Sequence, residues 1–171
     1  GNINRIQPAV DAIVERLRAA GTEVVLLRSP IARSGAGPAP GLRTVSGYPF
    51  GRYYRAFDGV FSAAGYNSFH ELLAAAVPTA FVPNRQTAVD DQLARARFAA
   101  AAGLAWCIDE PTPAAVAAVV EPMLDAGQRR AISRRCSALR MGDGARQAMA
   151  ALAGMIDGDR ARAASAEQEA R

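Results

Sequence analysis

The sequence predicts an α/β protein of the Rossmann-like, doubly wound class, in which a parallel sheet carries helices on both faces. Short apolar segments of strand length alternate with longer segments of helical periodicity, which is typical of parallel sheets. Half of the 171 residues are hydrophobic, enough to bury a sizeable core. The length fits one domain, which we expect in residues 1–156, followed by a polar tail over residues 157–171 that we expect to be disordered.

The first predicted helix has Pro8 in its first turn and ends at Gly21. Its apolar residues recur on one face, at Ile6, Val10, Ile13, Val14 and Leu17. A strand follows at residues 23–27, and the three prolines and three glycines of residues 28–41 then predict a loop.

Further strands and helices alternate after this loop, punctuated by turn signals at residues 46–50, Gly65, Pro83 and Gly103. Strands are predicted at residues 42–45, 59–63, 79–82 and 104–108. Helices are predicted at residues 52–57, 68–76, 90–102, 111–125, 128–139 and 145–156.

No strand precedes the first predicted helix, since only Gly1-Asn2-Ile3-Asn4 stands before it. In a Rossmann order the first strand is central to the sheet. We therefore expect that the chain is a fragment lacking this strand, or that an upstream segment supplies it.

Charge and composition argue against several other classes of protein. The net charge is +4, and all 20 basic residues are arginines spread along the chain, so we expect no nucleic-acid partner. Two cysteines outside any CxxC pair make no disulfide framework, and one histidine gives no metal-ligand spacing. No apolar run is long enough to cross a membrane, and no signal segment opens the chain, so a cytoplasmic location is expected.

The segment from Gly65 to Glu71 follows a predicted strand and opens a predicted helix. Gly65 allows a ligand to approach the backbone, and the helix N-terminus favours a phosphate, beside which Asn67 and Ser68 add polar groups. Glu71 lies three residues after Ser68, on the same helical face, where a carboxylate suits the two hydroxyls of a ribose. The pattern Ser68-x-x-Glu71 also fits a capping box, which would have no ligand at all.

A second polar loop follows the strand at residues 79–82. Asp91 and Gln92 place a carboxylate beside an amide, a pairing that matches sugar hydroxyls. The alternative is that acidic residues here favour the helix dipole, with Thr87 or Asp90 capping the helix.

Three further residues near these loops have alternative interpretations. Arg85 and Arg95 are candidate phosphate contacts, although a solvated face is the simpler expectation for each. His70 is predicted to be structural, because its neighbour Glu71 points to a different side of the helix.

Together the two loops resemble the donor-binding half of GT-B glycosyltransferases. Plant-type UDP-glycosyltransferases carry the pattern H-C-G-W-N-S-x-x-E, then a strand ending in proline, then D-Q, and the bacterial GlcNAc transferases of the peptidoglycan lipid precursor have a related one. The matching run here is A-A-G-Y-N-S-F-H-E at residues 63–71, followed by Val82-Pro83 and Asp91-Gln92. The resemblance covers most of residues 1–110 and, more loosely, the C-terminal helices.

The resemblance implies a diphosphate site at the strand–helix junction. Gly65, Asn67 and Ser68 would hold the diphosphate, and Gly1 and Asn2 match the end of a glycine-rich loop near the phosphates.

The other implied roles concern the rest of the donor. Glu71 would bind the ribose, and Asp91 and Gln92 would contact the donor sugar. The turn at residues 46–50 matches the region that packs on uracil, with Gly47, Tyr48 and Phe50 as the candidate base contacts.

The implied function is transfer of a hexose from an NDP-sugar, most simply UDP-hexose or UDP-GlcNAc, to an acceptor hydroxyl. Developing charge on the leaving diphosphate would be stabilised by N–H donors, with no cofactor and no metal required. The histidine that opens the plant pattern is Ala63 here, which removes one phosphate contact, and the bacterial relatives also lack that histidine. The acceptor, the catalytic base and any membrane contact would come from an N-terminal domain or partner subunit, so we expect the isolated chain to turn over little.

Three alternatives remain open from the sequence. The chain is a subunit of a split transferase, a relative of nucleotide-sugar 2-epimerases, or a non-catalytic nucleotide-binding or interaction domain.

Overall fold

The computed structural model describes residues 7–28, 42–85, 90–139 and 144–169. The chain divides into two compact units, Gly1–Leu139 and Arg140–Arg171, and each is treated by itself. The expected sites at Gly1 and Asn2 lie outside the described residues, as do the loop at 29–41 and the capping candidate Thr87.

The described residues of the first unit form five short strands, all paired in parallel. Strand β1 (Val25–Arg28) pairs with β2 (Arg43–Ser46). A second sheet has the order β3-β4-β5, formed by Val60–Ser62, Thr79–Phe81 and Trp106–Cys107. All three residues of β4 are buried, because this strand lies between two others and beneath helices on each side.

The helices of the first unit alternate with the strands as the sequence predicted. A 3-10 helix spans Gly51–Ala56. The α-helices are α1 (Gln7–Ala19), α2 (Tyr66–Ala74), α3 (Gln92–Ala101), α4 (Pro113–Leu124) and α5 (Ala126–Ala138).

Two apolar clusters lie on opposite faces of the strands. On one face, Phe81 of β4 packs with residues of α2, α3 and α5, and Leu27 and Val60 join this cluster. On the other, Ala80 packs with residues of α1 and α4, and Phe61 joins it. Because neighbouring residues of a strand point to opposite faces, this division confirms the predicted doubly wound, Rossmann-like architecture.

Strands β1 and β3 contribute to the same two faces without pairing with each other. Leu27 of β1 and Val60 of β3 pack on one cluster, and Val24, just before β1, and Phe61 of β3 pack on the other. Among the described strands, however, β1 pairs only with β2 and β3 pairs only with β4. The facing edges of β1 and β3 are therefore left without a described ladder partner.

Three helices end in the same hydrogen-bonded turn, with one residue in the left-handed region. After α1, Gly21 (φ 73°) occupies this position, and after α3 it is Gly103 (φ 68°), as the predicted stop signals require. After α2 it is Ala76 (φ 55°), whose N–H donates to the Leu73 carbonyl at 3.0 Å. An alanine at this position carries backbone strain that glycine avoids.

The second unit contains one helix, α6, which spans Gly144–Glu169. It therefore includes residues 157–169, which the sequence analysis placed in a polar tail. Large apolar side chains of α6 are exposed on a stripe with helical spacing, at Met149, Leu152, Met155 and Ile156.

Within the residues that the structure describes, no helix is both long enough and apolar enough to span a bilayer.

Candidate functional site

The candidate site lies at the carboxyl ends of β3 and β4. The chain leaves β3 through Ala63 and Ala64 to enter α2, and it leaves β4 through Pro83 to approach α3. Because carboxyl ends of parallel strands meet at one edge of a sheet, both predicted loops lie at that edge.

Helix α2 begins two residues earlier than predicted, and this changes the interpretation of its first turn. Gly65 is the N-cap, in extended conformation (φ −60°, ψ 148°), and no side chain caps the helix. The first intrahelical bond runs from the Phe69 N–H to the Gly65 carbonyl at 2.9 Å. Ser68 is therefore the third helical residue, and the capping-box alternative for Ser68 and Glu71 is wrong.

The N–H groups of residues 66–68 precede that first bond and point out of the helix end. They carry the positive end of the helix dipole, which favours an anion. This is the geometry that the predicted diphosphate contacts at Gly65, Asn67 and Ser68 require.

Glu71 faces the first residue of the 3-10 helix, Gly51. A Cβ placed on Gly51 would lie 3.4 Å from Oε2 of Glu71, so the carboxylate packs against the backbone there. Gly51 directly follows the turn at residues 46–50, the predicted base-binding segment. The structure thus places Glu71, the residue predicted to bind the ribose, beside the predicted base-binding turn.

Tyr54 connects these groups and was not singled out by the sequence. Its side chain is buried and lies near the side chains of Ser68 and Glu71. Burial raises the pKa of the Tyr54 phenol, and the nearby Glu71 carboxylate raises it further, while the Ser68 side chain opposes both. The phenol therefore stays protonated at neutral pH.

The predicted base-binding residues differ in exposure. Tyr48 is 78% exposed, whereas Phe50 is half-buried and packs against the core cluster below it. The Gly47 N–H donates to the Arg28 carbonyl at 3.2 Å, which fixes the turn to the end of β1. Tyr48 is thus the ring of this turn that a planar base could reach.

Asp91 and Gln92 are neighbours in sequence but have different environments. Asp91 is the N-cap of α3, where its Oδ1 accepts from the Ala94 N–H at 2.9 Å. The capping role expected for Thr87 or Asp90 therefore belongs to Asp91. The Asp91 side chain is exposed and retains a second carboxylate oxygen.

Gln92 is only 8% exposed, and both ends of its amide have protein partners. Oε1 accepts from the Asn84 N–H at 3.0 Å, and Nε2 donates to Oδ2 of Asp90 at 3.1 Å. A Cβ placed on Gly65 would lie 3.9 Å from Nε2 of Gln92. The amide therefore lies against the strand–helix junction, and its role in donor binding stays a prediction.

Arg95 joins the two loops, and the expectation of a solvated face is wrong for this residue. Its side chain is 21% exposed and donates to Oδ1 of Asp90 at 2.6 Å. It also donates to the carbonyl of Ala64, and its guanidinium stacks over the ring of Tyr66 at 5.7 Å from the centroid. The Arg95 guanidinium is the main reason that the pKa of Asp90 lies below its usual range.

Arg85 lies on a solvated face, which was the simpler expectation. Its side chain is exposed and forms ion pairs with Asp109 at 3.7 Å and Glu110 at 3.3 Å. Exposed pairs of this kind contribute little to stability.

His70 packs against aromatic rings. Its ring lies edge-on to Tyr66 at 4.5 Å and to Phe69 at 5.3 Å between centroids. These contacts agree with a structural role. Over the described part of the chain, no group of three or more histidine, cysteine, aspartate or glutamate side chains could hold a metal ion.

Comparison with solved structures finds glycosyltransferases at low sequence identity. The spinosyn rhamnosyltransferase SpnG, solved with thymidine diphosphate, is 20% identical with a TM-score of 0.60, over 80% of this chain and 38% of SpnG. The kitacinnamycin glycotransferase is 24% identical with a TM-score of 0.56, over 77% of this chain and 35% of its own. SsfS6, a glycosyltransferase of Streptomyces sp. SF2575, is 22% identical with a TM-score of 0.53, over 78% and 35%.

These likenesses confirm the predicted fold, the Rossmann-like C-terminal half of the GT-B class. The chain spans less than two fifths of the length of each of these three proteins. A search of curated protein sequences gives no match.

One family model matches most of the chain. It is that of the glycosyltransferase family 28 C-terminal domain, and it matches residues 44–148, which include both loops of the candidate site. The chain therefore belongs to glycosyltransferase family 28 and contains that family's C-terminal domain.

Proposed function

We propose that this chain is the donor-binding part of a hexosyltransferase, and that it holds a pyrimidine NDP-sugar at the carboxyl edge of β3 and β4. The observation that carries the proposal is the position of Glu71, with its carboxylate against Gly51 and beside the base-binding turn. Ser68 lies on the same helix, one turn nearer the open N-terminus. A nucleoside diphosphate has its base, ribose and phosphates in this same order.

The diphosphate would lie at the start of α2. The N–H groups of residues 66–68, with Asn67 and the Ser68 hydroxyl, would donate to its oxygens. As the bond to the sugar breaks, negative charge grows on the leaving diphosphate, and donors fixed in place stabilise it.

The ribose and base would occupy the side of α2 that faces the turn at residues 46–50. The Glu71 carboxylate accepts from both ribose hydroxyls, and Tyr48 is exposed enough to stack on the base. The resemblance to the motif of UDP-glycosyltransferases supports UDP as the nucleotide. The thymidine diphosphate bound by SpnG supports dTDP as a second pyrimidine nucleotide.

The donor sugar would be recognised by Asp91 and Gln92. Asp91 offers its second carboxylate oxygen to a hydroxyl. The Gln92 amide is held by Asn84 and Asp90, so a sugar hydroxyl would share or replace the bond to Asp90.

We further propose that a parallel strand from outside the described residues fits between β1 and β3. The support is that both strands pack on the same two clusters while their facing edges have no described ladder partner. One added strand would join the two sheets into the order expected of a Rossmann fold. The acceptor and catalytic base would come from the same source, an N-terminal domain or partner subunit.

Titration calorimetry of the 171-residue chain against UDP-, dTDP- and GDP-sugars tests the donor site. We expect pyrimidine nucleotides to bind, and we expect Glu71→Gln to weaken them by about tenfold or more, because a charged hydrogen-bond acceptor is lost. Glu121→Gln, at an exposed position of α4, is the matched control and should bind as the wild type does.

The proposal fails if Glu71→Gln leaves the affinity unchanged. It also fails if thermal unfolding shows that this variant loses stability rather than binding, since a structural carboxylate would behave in that way.

A further inference from the structure

A polar groove lies at the amino ends of β3 and β4, whereas the candidate donor site lies at their carboxyl ends. It has a volume of about 680 Å³ and is lined by the end of the 3-10 helix, the connection from α2 to β4, and α5. Its polar lining residues are Arg55, Asp58, Arg129, Arg130, Ser133 and Ser137, which we call the basic groove. The volume is within the range of about 300–1,000 Å³ typical of small-molecule sites.

The basic groove is distinct from the candidate donor site. Ala75 and Ala76, which follow the C-terminal end of α2, line the groove, whereas the donor site lies at its N-terminal end. A helix of this length spans about 13 Å, so a single small ligand at one end does not reach the other.

Positive charge dominates the groove. Three guanidinium groups line it against the single carboxylate of Asp58. Arg55 is exposed in the last turn of the 3-10 helix. Among the described residues, it forms no ion pair with Asp58 or any other acidic side chain. The positive charge of Arg55 is thus not neutralised by a described neighbour.

Two of the arginines are held in place by backbone carbonyls. Arg129 donates through one terminal nitrogen to the carbonyls of Met123 and Leu124, each at 2.8 Å. Arg130 donates through Nε to the Ala126 carbonyl at 3.2 Å. Each guanidinium keeps further N–H groups beyond those bonds, so both are positioned donors with capacity for an anion.

The carbonyl-rich helix ends beside the groove do not cancel this preference. The C-terminus of α2 is closed by the N–H groups of Ala76 and Val77, and that of α4 is closed by Arg129. Helix α5 lines the groove along most of its length, from Ala126 in its first turn to Ser137 in its last.

We propose that the basic groove binds a small anionic ligand through phosphate or carboxylate groups. Fixed guanidinium groups pair with planar or tetrahedral oxyanions, and the hydroxyls of Ser133 and Ser137 add neutral donors along α5. The proposal does not depend on the function of the donor site.

Amide NMR of the whole chain, titrated with inorganic pyrophosphate and in parallel with citrate, tests this groove. We expect saturable shifts at the amides of residues 126–137, separate from any shifts at residues 66–68. Saturation by pyrophosphate alone identifies a phosphate ligand, and saturation by citrate alone identifies a carboxylate ligand.

Arg55→Gln and Arg130→Gln should each weaken groove binding by about five- to tenfold, because each removes one charged donor. Arg134→Gln, at an exposed position of α5 outside the groove, is the control and should leave binding unchanged. The proposal is overturned if both anions shift only residues 66–68, or if the two groove variants bind as the control does.

Discussion

Among the described residues, the Arg95 side chain bonds to both loops of the candidate site. It bonds the Ala64 carbonyl ahead of the Gly65 cap, and it pairs with Asp90, which in turn accepts from the amide of Gln92. Fixed donors contribute most when they do not have to reorganise as charge develops. Arg95 is therefore placed to hold the predicted diphosphate-binding residues and the predicted sugar-binding residues in one arrangement.

Replacing Arg95 by Gln should destabilise the fold by about 1–2 kcal/mol, because a half-buried charged hydrogen-bond network is lost. Arg97→Gln on the same helix removes only an exposed pair with Asp109 and should cost less than about 0.5 kcal/mol. Urea unfolding of both variants measures the difference. Equal losses would show that Arg95 is no more than a surface residue.

The Arg95 effect should also depend on pH in a defined direction. The folded pKa of Asp90 is lowered, so its pairing stabilises the fold above the unfolded value of about 4 and this contribution is lost as pH falls through the folded pKa. The stability gap between wild type and Arg95→Gln should therefore be full at pH 7 and narrow below pH about 4. A gap that is the same at both ends of this range would contradict the pairing.

At the level of elements, the residue type indicates two of the helix ends and does not indicate a third. Gly21 and Gly103 were recognised as stops because glycine reaches positive φ without strain. Ala76 adopts the same conformation after α2, and nothing in its residue type indicates this.

Ala76→Gly should stabilise the protein by roughly 0.5–1 kcal/mol, since the left-handed strain of alanine exceeds the added freedom of glycine in the unfolded chain. A rise of about 1–4 °C in the unfolding midpoint is expected for a chain of this size. Ala75→Gly, where the backbone is right-handed, is the control and should lower the midpoint. If both variants lower it, Ala76 is not strained.

How much of the site could be predicted depends on whether one element or several define a residue's surroundings. Gly65, Asn67, Ser68 and Glu71 share one strand–helix junction, and the sequence pattern alone placed them on it. Tyr54 and Gly51 come to Ser68 and Glu71 from a different element, so only the packing of the 3-10 helix on α2 reveals them. The donor-site roles themselves remain predictions.

The second loop illustrates the same limit. Three consecutive residues, Asp90, Asp91 and Gln92, could each cap a helix or face a ligand, and their chemistry does not separate these options. The separation comes from the Asn84 N–H, three residues after β4, and from Arg95 in the first turn of α3.

At the scale of the whole first unit, the sheet is divided between β1 and β3. The Val60 N–H donates to the Pro78 carbonyl, and the Ser62 carbonyl accepts from the Val82 N–H. These two groups of β3 therefore point toward β4. Successive N–H groups of a strand alternate in direction, and the Phe61 N–H therefore points toward β1.

Hydrogen exchange of the isolated chain should show this division. The Phe61 amide should exchange faster than the Val60 amide of the same strand, because Val60 is protected by a 2.9 Å bond to Pro78. The order should reverse or equalise when the proposed additional strand is present. An order of exchange that does not change when the N-terminal domain or partner subunit is added would sink the proposal of a strand between β1 and β3.

The exposed stripe of α6 has a consequence for handling the protein. Two of its four large apolar side chains, Met149 and Met155, are thioethers open to solvent. Peroxide would convert them to sulfoxides and make that stripe polar without touching the sheet. The oxidation state of these two sulfur atoms would then determine how much exposed apolar surface the helix presents to a contacting molecule.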